Sequence, residues 1–371
     1  MKNTSGRNSR RYSENNRKYV KKEYIDIYSN DSNKHQEYVD IYSSERKREK
    51  KKSSNISILK VVYFSFFVIL GIVGGMMIYA YNTLHSFNYD DLGEGDNRKS
   101  EISYDNDGDE LINDNMILNI MLIGSDSMST GDHGRSDSLM ILSLDLRHKK
   151  IKVTSLMRDI WVKIPGQGKD RLNAAYAYGG PKLTIETIEK NFGIYIDRYA
   201  IVDFEGFSNI IDALGGIDLE LSSAECAYIN KYSGDKHTLK GSGMKHLTGL
   251  QALHYSRDRN SIGSDYDRTT RQRNVIKAIV SKLKTANLAQ ITELISTVGP
   301  MVTTNFKTAE ISRLAAKSLS YLNYNLEEFR LPTNDNVRDE TYSQKMVLVI
   351  NDMNKAKADL SNFIYESNSD N

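Results

Sequence analysis

The stretch "NIMLIGSDSMSTGDHGRSDSLMILSLD", residues 119–145, places two apolar runs on either side of a polar loop. Each run is short and bounded by turn residues, so both are predicted to be β-strands. Asp126 ends the first run, and Arg135 and Asp137 precede the second. A hairpin-like connection between the strands would bring these two carboxylates and the guanidinium to one place.

Two carboxylates and one guanidinium on one loop suit a magnesium-bound phosphate. Mg²⁺ binds through one or two carboxylates and shares its shell with water and phosphate oxygens. An arginine beside it can bind the same phosphate through two parallel hydrogen bonds. The alternative is an Asp–Arg ion pair that only closes the loop, and the loop by itself does not decide between the two.

A second charged cluster, "YSRDRNSIGSDYDRTTRQR", runs from Tyr255 to Arg273. All of its basic residues are arginines, the residue type preferred for planar recognition of phosphate: Arg257, Arg259, Arg268, Arg271 and Arg273. The interleaved Asp258, Asp265 and Asp267 leave open a salt-bridged helix face. A further arginine, Arg158, interrupts the apolar segment "TSLMRDIWVKIPG".

Strand-like and helix-like segments mix along the C-terminal part of the chain, which predicts an α/β domain. Strands are predicted at 117–123, 139–144, 151–156, 160–164, 195–204 and 346–350. Helices are predicted at 179–193, 205–216, 247–254, 268–298 with a bend near Asn287, 308–322 and up to residue 365.

An uncharged run of 21 residues, Val61–Tyr81, is long enough to span a bilayer core, which takes about 20 apolar residues. Residues 1–60 carry 16 Lys and Arg against 8 Asp and Glu, and residues 82–115 carry 2 against 10. The positive-inside rule then predicts a cytoplasmic N-terminus and an extracytoplasmic C-terminal domain. The long N-terminal region and the lack of an A-x-A site disfavour a cleaved signal peptide.

Four segments follow from this pattern: a basic, disordered cytoplasmic tail (1–60), a transmembrane anchor (61–81), an acidic linker (82–115) and a folded domain (116–371). The tail contains "EYIDIYS" and "EYVDIYS", which are either a chance duplication or a motif for a cytoplasmic partner. An extracytoplasmic arginine cluster makes nucleic acid a poor partner.

The single cysteine, Cys226, excludes an internal disulfide and a cysteine-built metal site. The histidines are scattered without an H-x-x-x-H pair, which disfavours zinc. Any metal is therefore expected to be a hard cation with oxygen ligands, Mg²⁺ or alternatively Mn²⁺.

The chain strongly resembles the LytR–CpsA–Psr family in six segments from about Leu118 to Ile279. They are "IGSDS…GRSDSLMILSLD", "KKIKVTSLMRDIWVKIPG", "RLNAAYAYGGP", "VDFEGFSNIIDALGGIDLEL", "LTGLQALHYSRDR" and "DRTTRQR". The resemblance implies a central β-sheet sandwiched between helices, with a hydrophobic tunnel for a lipid chain. It also implies a phosphotransferase that moves a cell-wall glycopolymer, such as teichoic acid or capsule, from a polyprenyl-(pyro)phosphate carrier onto peptidoglycan through a phosphodiester.

Roles for individual residues are likewise implied by the resemblance. Asp126 and Asp137 would hold Mg²⁺ at the pyrophosphate, and Asp126 could accept the proton of the attacking hydroxyl. The pyrophosphate would be bound by Arg135, Arg158, Arg257 and Arg259, with Asp265, Arg268 and Gln272 from the second arginine-rich motif. The catalytic residues would be Asp126, Arg135, Asp137 and Arg257.

One departure from the family pattern concerns the second arginine-rich motif. Asp267 stands where the family usually has Gly, and a side chain at a tight turn could displace Arg268. Two other functions stay open: a polyprenyl-pyrophosphate hydrolase, and a non-catalytic polyprenyl-phosphate-binding or regulatory protein. The sequence does not identify the polymer, the acceptor hydroxyl or the oligomeric state.

Overall fold

The structure is a computed structural model that describes residues 71, 87–90, 111–112, 114–126, 134, 136–234, 238–258, 265–342 and 344–366. The chain divides into two compact units, residues 1–77 and 78–371. Gly71 is the described residue of the first unit and is helical. The predicted tail with its repeat, and the anchor apart from Gly71, lie outside the described residues. Within the described ranges, no helix has the length and apolar character to span a bilayer.

The strands of the second unit are short, as their bounds indicate. They are β1 Asn88–Tyr89, β2 Ile117–Ser125, β3 Ser136–Asp145, β4 Lys150–Leu156, β5 Trp161–Ile164, β6 Gly168–Arg171, β7 Arg198–Asp203, β8 Ile217–Leu221, β9 Gly243–Leu247, β10 Thr303–Thr304, β11 Asn325–Leu331, β12 Val337–Tyr342 and β13 Lys345–Ile350.

The helices follow and separate these strands along the chain. They are α1 Ala174–Phe192, α2 Phe204–Ala213, α3 Ser223–Ser233, α4 Gly249–Arg257, α5 Asp265–Leu283, α6 Leu288–Val298, α7 Thr308–Tyr321 and α8 Met353–Tyr365. Their starts have local causes: Thr248 caps α4 and Asn287 caps α6, each in a reciprocal capping box with the Gln three residues on.

The central sheet has seven strands in the order β1-β10-β7-β2-β3-β4-β11. β2 is parallel to β7, β4 is parallel to β11, and β3 is antiparallel to both of its neighbours. The carboxyl ends of β2, β4, β7 and β11 therefore lie at one edge of the sheet, together with the amino end of β3. We refer to this edge as the site edge. The carboxyl ends of strands are where open α/β sheets bind their ligands.

Helices cover both faces of this sheet. Against one face pack α1 and α8, in a core that includes Met121, Ile188 and Leu360. On the other face, Arg273 of α5 donates to Ser155 Oγ of β4 (3.0 Å), and Glu310 of α7 pairs with Arg198 of β7 (2.6 Å). The α/β class and the sheet between helices are thus confirmed.

The sheet also takes in residues that the sequence pattern assigned to the acidic linker. Asn88 and Tyr89 pair in register with Thr303 and Thr304 of β10. The Tyr199 hydroxyl, fully buried in β7, donates to Asp90 Oδ2 (2.7 Å). Burial and the Asp90 carboxylate together raise the pKa of the Tyr199 phenol. Two residues are too few to give a strand pattern in an acidic segment, so this pairing was not predicted.

We expect Asp90→Ala to destabilise the domain by about 1–3 kcal/mol, because it leaves the buried Tyr199 hydroxyl without its carboxylate acceptor. Tyr199→Phe should cost less, since no hydroxyl then needs an acceptor. Thermal unfolding of the full chain in detergent micelles compares the two variants. Equal unfolding midpoints for Asp90→Ala and wild type would show that the hydrogen bond between Tyr199 and Asp90 does not contribute to stability.

Candidate functional site

The two predicted metal-binding carboxylates leave neighbouring strands at the site edge. Ser125, the last residue of β2, pairs with Ser136, the first residue of β3, after a register shift at Gly124. Asp126 follows the first serine and is exposed, whereas Asp137 follows the second and is half-buried. A bulge of this kind redirects side chains at the end of a sheet. The hairpin predicted between these two strands is confirmed.

Arg158 links Asp137 to the second arginine-rich segment. It follows the carboxyl end of β4, and its Nη1 donates to Asp137 Oδ1 (2.8 Å). Its Nη2 lies 3.9 Å from Asp265 Oδ1 in the first turn of α5. Its Nε also approaches Asp159 Oδ2 at 3.4 Å. The structure therefore brings together three residues that the sequence places in three separate segments.

Helix α5 presents a polar stripe to the site edge. Arg268 Nη2 binds Asp265 Oδ2 at 2.8 Å, and Gln272 Oε1 accepts a hydrogen bond from Ser138 Oγ of β3 (3.3 Å). Residues three and four apart share one face of a helix, which places Asp265, Arg268 and Gln272 on the same side. The Arg268 side chain is almost fully buried, so its position is fixed by packing.

Asp267, which stands where the family usually has Gly, lies within the first turn of α5. Asp267 is the third residue of α5, and its φ is not positive, so an L side chain is unstrained there. An acidic residue in the first turn of a helix is also favoured by the helix dipole. The tight turn on which the expected displacement of Arg268 depends is therefore not present at Asp267.

Arg257 reaches the site edge from the other side of Asp126. Its guanidinium lies over the ring of Phe204, 4.1 Å from the centroid, in a cation–π contact. Phe204 follows Asp203, which pairs with Ser125 in the parallel β2–β7 ladder. Strand β2, which leads to Asp126, therefore lies between β3, which carries Asp137, and β7, which leads to Phe204. Arg135 and Arg259 lie outside the described residues.

Tyr176 of α1 supports the end of β2. Its buried hydroxyl interacts with the side chain of Ser125, whose Oγ is fully buried. Burial raises the pKa of the Tyr176 phenol, the hydrogen bond with Ser125 lowers it, and the charges of Asp126 and Asp90 raise it further. The phenol therefore stays neutral beside the carboxylate.

Three residues that contact the predicted site residues or the end of β2 were not themselves predicted from the sequence: Asp159, Phe204 and Tyr176. Asp159 carries a detectable signal, because a charged Arg–Asp pair interrupts an apolar segment. Phe204 and Tyr176 carry none, because one aromatic residue in a helix or strand is usually a core residue.

The donor set fits a hard divalent cation and a phosphate group. Asp126 and Asp137 supply carboxylate oxygens, which Mg²⁺ and Mn²⁺ prefer. The described residues around them include Arg158, which binds Asp137, Arg257, which lies over Phe204, and Arg268, which binds Asp265. The arrangement can bind a pyrophosphate and neutralise charge that develops on its oxygens.

An apolar surface extends from this edge along the face that α5 and α7 cover. Leu118, Ile120 and Leu122 of β2 are only half-buried, as are Ala200 and Val202 of β7. The alternate residues of β2, by contrast, are fully buried on the opposite face. Helix α7 buries none of its residues completely. Half-buried apolar strand residues under loosely packed helices can accept an apolar ligand.

We expect Arg158→Lys to weaken binding of inorganic pyrophosphate at this site about tenfold. Lysine keeps the charge but lacks the planar fork that reaches Asp137 and Asp265 at once. The measurement is the dissociation constant for pyrophosphate, by calorimetry in the presence of Mg²⁺. The control is Arg147→Lys, an exposed arginine that pairs with Asp114 (2.7 Å). Identical dissociation constants for the two variants would exclude a role for the planar fork.

Comparisons with known proteins agree with this architecture. The sequence profile of the LytR_cpsA_psr family matches residues 76–359. The polyisoprenyl-teichoic acid–peptidoglycan teichoic acid transferase TagU of Bacillus mycoides is 33% identical over 277 residues, 72% of this chain and 86% of the relative. The regulatory protein MsrR of Staphylococcus aureus is 37% identical over 168 residues, 45% of this chain and 49% of the relative. The solved structure of TagT bound to LIIa-WTA superimposes with a TM-score of 0.57 at 26% identity, covering 67% of this chain and 91% of that chain.

Proposed function

The chain belongs to the LytR_cpsA_psr family, and we propose that it is a membrane-anchored phosphotransferase. In this proposal it moves an anionic or secondary cell-wall glycopolymer from a polyprenyl-(pyro)phosphate carrier to peptidoglycan and forms a phosphodiester. The observation that carries the proposal is the charged site edge, where Arg158 joins Asp137 to Asp265 beside Asp126. TagU, a named teichoic acid transferase, and TagT bound to LIIa-WTA support the choice of substrate class.

The reaction needs positioning and charge neutralisation more than covalent chemistry from the protein. A hydroxyl oxygen of the acceptor glycan bonds to the phosphorus that carries the glycopolymer. The bond from that phosphorus to the bridging oxygen breaks, and polyprenyl phosphate leaves. Arg158, Arg257 and Arg268 stabilise the charge on the phosphate oxygens in this scheme. Asp126, the exposed carboxylate, accepts the hydroxyl proton.

Asp126 and Asp137 are the residues that would hold Mg²⁺ or Mn²⁺. When bound, the cation supplies Lewis-acid stabilisation of the pyrophosphate charge. One Asp137 oxygen is engaged by Arg158 at 2.8 Å, so in this proposal the same carboxylate also orients the phosphate-binding arginine.

The half-buried apolar residues of β2 and β7 are the proposed contact for the polyprenyl chain. A lipid chain there would remove the apolar surface from water, at about 25 cal/mol per Å². The anchor at Val61–Tyr81 and the charge asymmetry around it support a single-pass protein with its catalytic domain outside the cell. Such a position would bring the site to the lipid-linked substrate and to peptidoglycan.

The test is a transfer reaction with the full chain in detergent micelles. It contains a polyprenyl-pyrophosphate-linked oligosaccharide, a peptidoglycan oligomer and Mg²⁺, and mass spectrometry detects the products. We expect a phosphodiester-linked conjugate, and its loss when EDTA replaces Mg²⁺. The full chain is required, because a truncated chain that begins at residue 116 lacks β1 and Asp90.

Two other outcomes would contradict the proposal. Free sugar phosphate without conjugate would indicate a hydrolase that uses water as the acceptor. Lipid binding without turnover would indicate a binding or regulatory protein, a function in line with the name of the relative MsrR.

A further inference from the structure

A cavity of about 350 Å³ lies beside the site edge, between the end of β11 and α5. Its lining residues are Arg273, Glu328, Phe329, Arg330, Thr333 and Asn334. They combine two guanidinium groups, one carboxylate, two neutral polar side chains and one ring. None of them belongs to the phosphate-binding cluster described above.

Arg330 is held so that its guanidinium borders this cavity. The guanidinium stacks on the ring of Tyr266, 4.4 Å from the centroid. Its Nε donates to the Pro332 carbonyl (3.3 Å), and its Nη2 donates to the Asn334 side chain. Within the described part of the chain, these bonds take two of the five N–H donors of an arginine.

The opposite side of the cavity is also basic. Arg273 is nearly buried, and it binds Ser155 Oγ at 3.0 Å and Glu328 Oε2 at 3.1 Å. Lys277 also pairs with Glu328, which offsets the single negative charge of the lining. Burial lowers the pKa of Arg273 and of Arg330, which indicates that both guanidinium groups are partly shielded from water. A partly desolvated cation attracts an anion more strongly than an exposed one does.

Helix α5 connects this cavity with the proposed catalytic cluster. Asp265 and Arg268 face the site edge, whereas Tyr266 and Arg273 face β11. The two sites therefore share helix α5 but use different side chains of it. An extended oligosaccharide with more than one anionic group can contact both sites at once.

We propose that the cavity at Arg330 and Arg273 binds a second anionic group of an extended saccharide substrate, a phosphate or a carboxylate. The inference rests on the proposed function, since it extends that substrate beyond the pyrophosphate. The anion has two possible sources: a phosphate further along the donor polymer, or a carboxylate of the peptidoglycan acceptor. In this proposal the cavity selects charged substrates and fixes their direction relative to the site edge.

The test measures binding of soluble probes to the full chain in detergent micelles by calorimetry. The probes are a glycerol phosphate trimer, a muramyl-peptide tetrasaccharide with free carboxylates, and fully N-acetylated chitotetraose, which is neutral. The variants are Arg330→Gln, Arg330→Lys and the control Arg338→Gln. Arg338 lies on the exposed β12–β13 hairpin, where it pairs with Glu340 and donates to Asn351 (2.7 Å).

We expect Arg330→Gln to weaken binding of one anionic probe about tenfold, the scale of a charge-assisted hydrogen bond. Arg330→Lys should retain part of that affinity, and Arg338→Gln should match wild type. The probe that loses affinity identifies the source of the anion, and chitotetraose binding should not respond. Equal affinity of all variants for both anionic probes, or no binding of either probe by wild type, would overturn the inference. Because the probes do not react, this outcome is independent of whether transfer occurs.

Discussion

Asp126→Ala is expected to reduce the rate of glycopolymer transfer by about 10²–10³-fold, with the substrate KM changed much less. The Asp126 carboxylate has two proposed roles, as a ligand for the divalent cation and as the acceptor of the hydroxyl proton. Alanine removes both, while the arginines that bind the ground-state pyrophosphate remain. Asp126 is exposed at the end of β2, so the fold should tolerate the change.

The measurement is the initial rate of conjugate formation, with Asp218→Ala as the matched control. Asp218 is an exposed carboxylate on β8 that pairs with His246 (2.8 Å), well removed in sequence from the site segments. Asp126→Asn should recover little, because an amide binds a cation weakly and does not accept a proton. Unchanged kcat in Asp126→Ala would remove this residue from the mechanism and with it the proposed metal site.

Asp145→Ala is expected to destabilise the domain by about 3 kcal/mol or more, because it removes one partner of a buried ion pair. Lys152 is fully buried in β4, and its Nζ binds Asp145 Oδ2 (2.8 Å) and the Ile364 carbonyl (2.8 Å). It also pairs with Glu366 at 2.9 Å. These bonds attach the end of α8 to the sheet. In Asp145→Ala, Glu366 would be the remaining carboxylate beside the buried ammonium group of Lys152, and it would compensate that charge poorly.

The double variant Asp145→Ala, Lys152→Met should recover much of this loss, since no charge then remains buried at position 152. Thermal unfolding of the full chain measures both, and Asp335→Ala, which removes an exposed partner of Lys355, should unfold like wild type. If the double variant were less stable than Asp145→Ala, the ion pair would not be the source of the effect.

The same pair predicts how stability depends on pH. Burial alone would raise the pKa of Asp145, but hydrogen bonds from Lys152 and His148 outweigh it and lower the pKa from 3.8 to about 2. A depressed folded-state pKa gives stability that is complete above about pH 4 and is lost as the pH falls towards 2. Unfolding midpoints between pH 2 and 5 should therefore fall less steeply in the double variant than in wild type.

Local sequence patterns were sufficient for most of the secondary structure around the site. The two apolar runs about the Asp126 loop form β2 and β3, and the bend predicted near Asn287 is the break at which Asn287 caps α6. Hydrophobic period and capping chemistry act over a few residues, so they can be read without knowing the fold. Strands β1 and β10, two residues each, are too short to give such a pattern.

The residue types at the site edge could be named from the sequence, through the arginine-only cluster, the paired aspartates and the family resemblance, and their role in binding phosphate stays a prediction. Its contacts were not predictable. Asp137, Arg158 and Asp265 meet only because β3, β4 and α5 bring their ends to one edge of the sheet. The order of strands in a sheet depends on long-range packing, and a single sequence does not encode it in any local pattern.

The amino-acid pattern was enough to establish the α/β class, the hairpin that carries Asp126 and Asp137, and the chemical character of the residues that would bind phosphate. Three contacts became visible only in the folded chain: Arg257 stacks on Phe204, Lys152 is buried against Asp145, and Arg330 borders a basic cavity between β11 and α5. The physical reason is the range of the forces involved. Periodicity and capping act between neighbours in the chain, whereas burial and ion pairing act between neighbours in space.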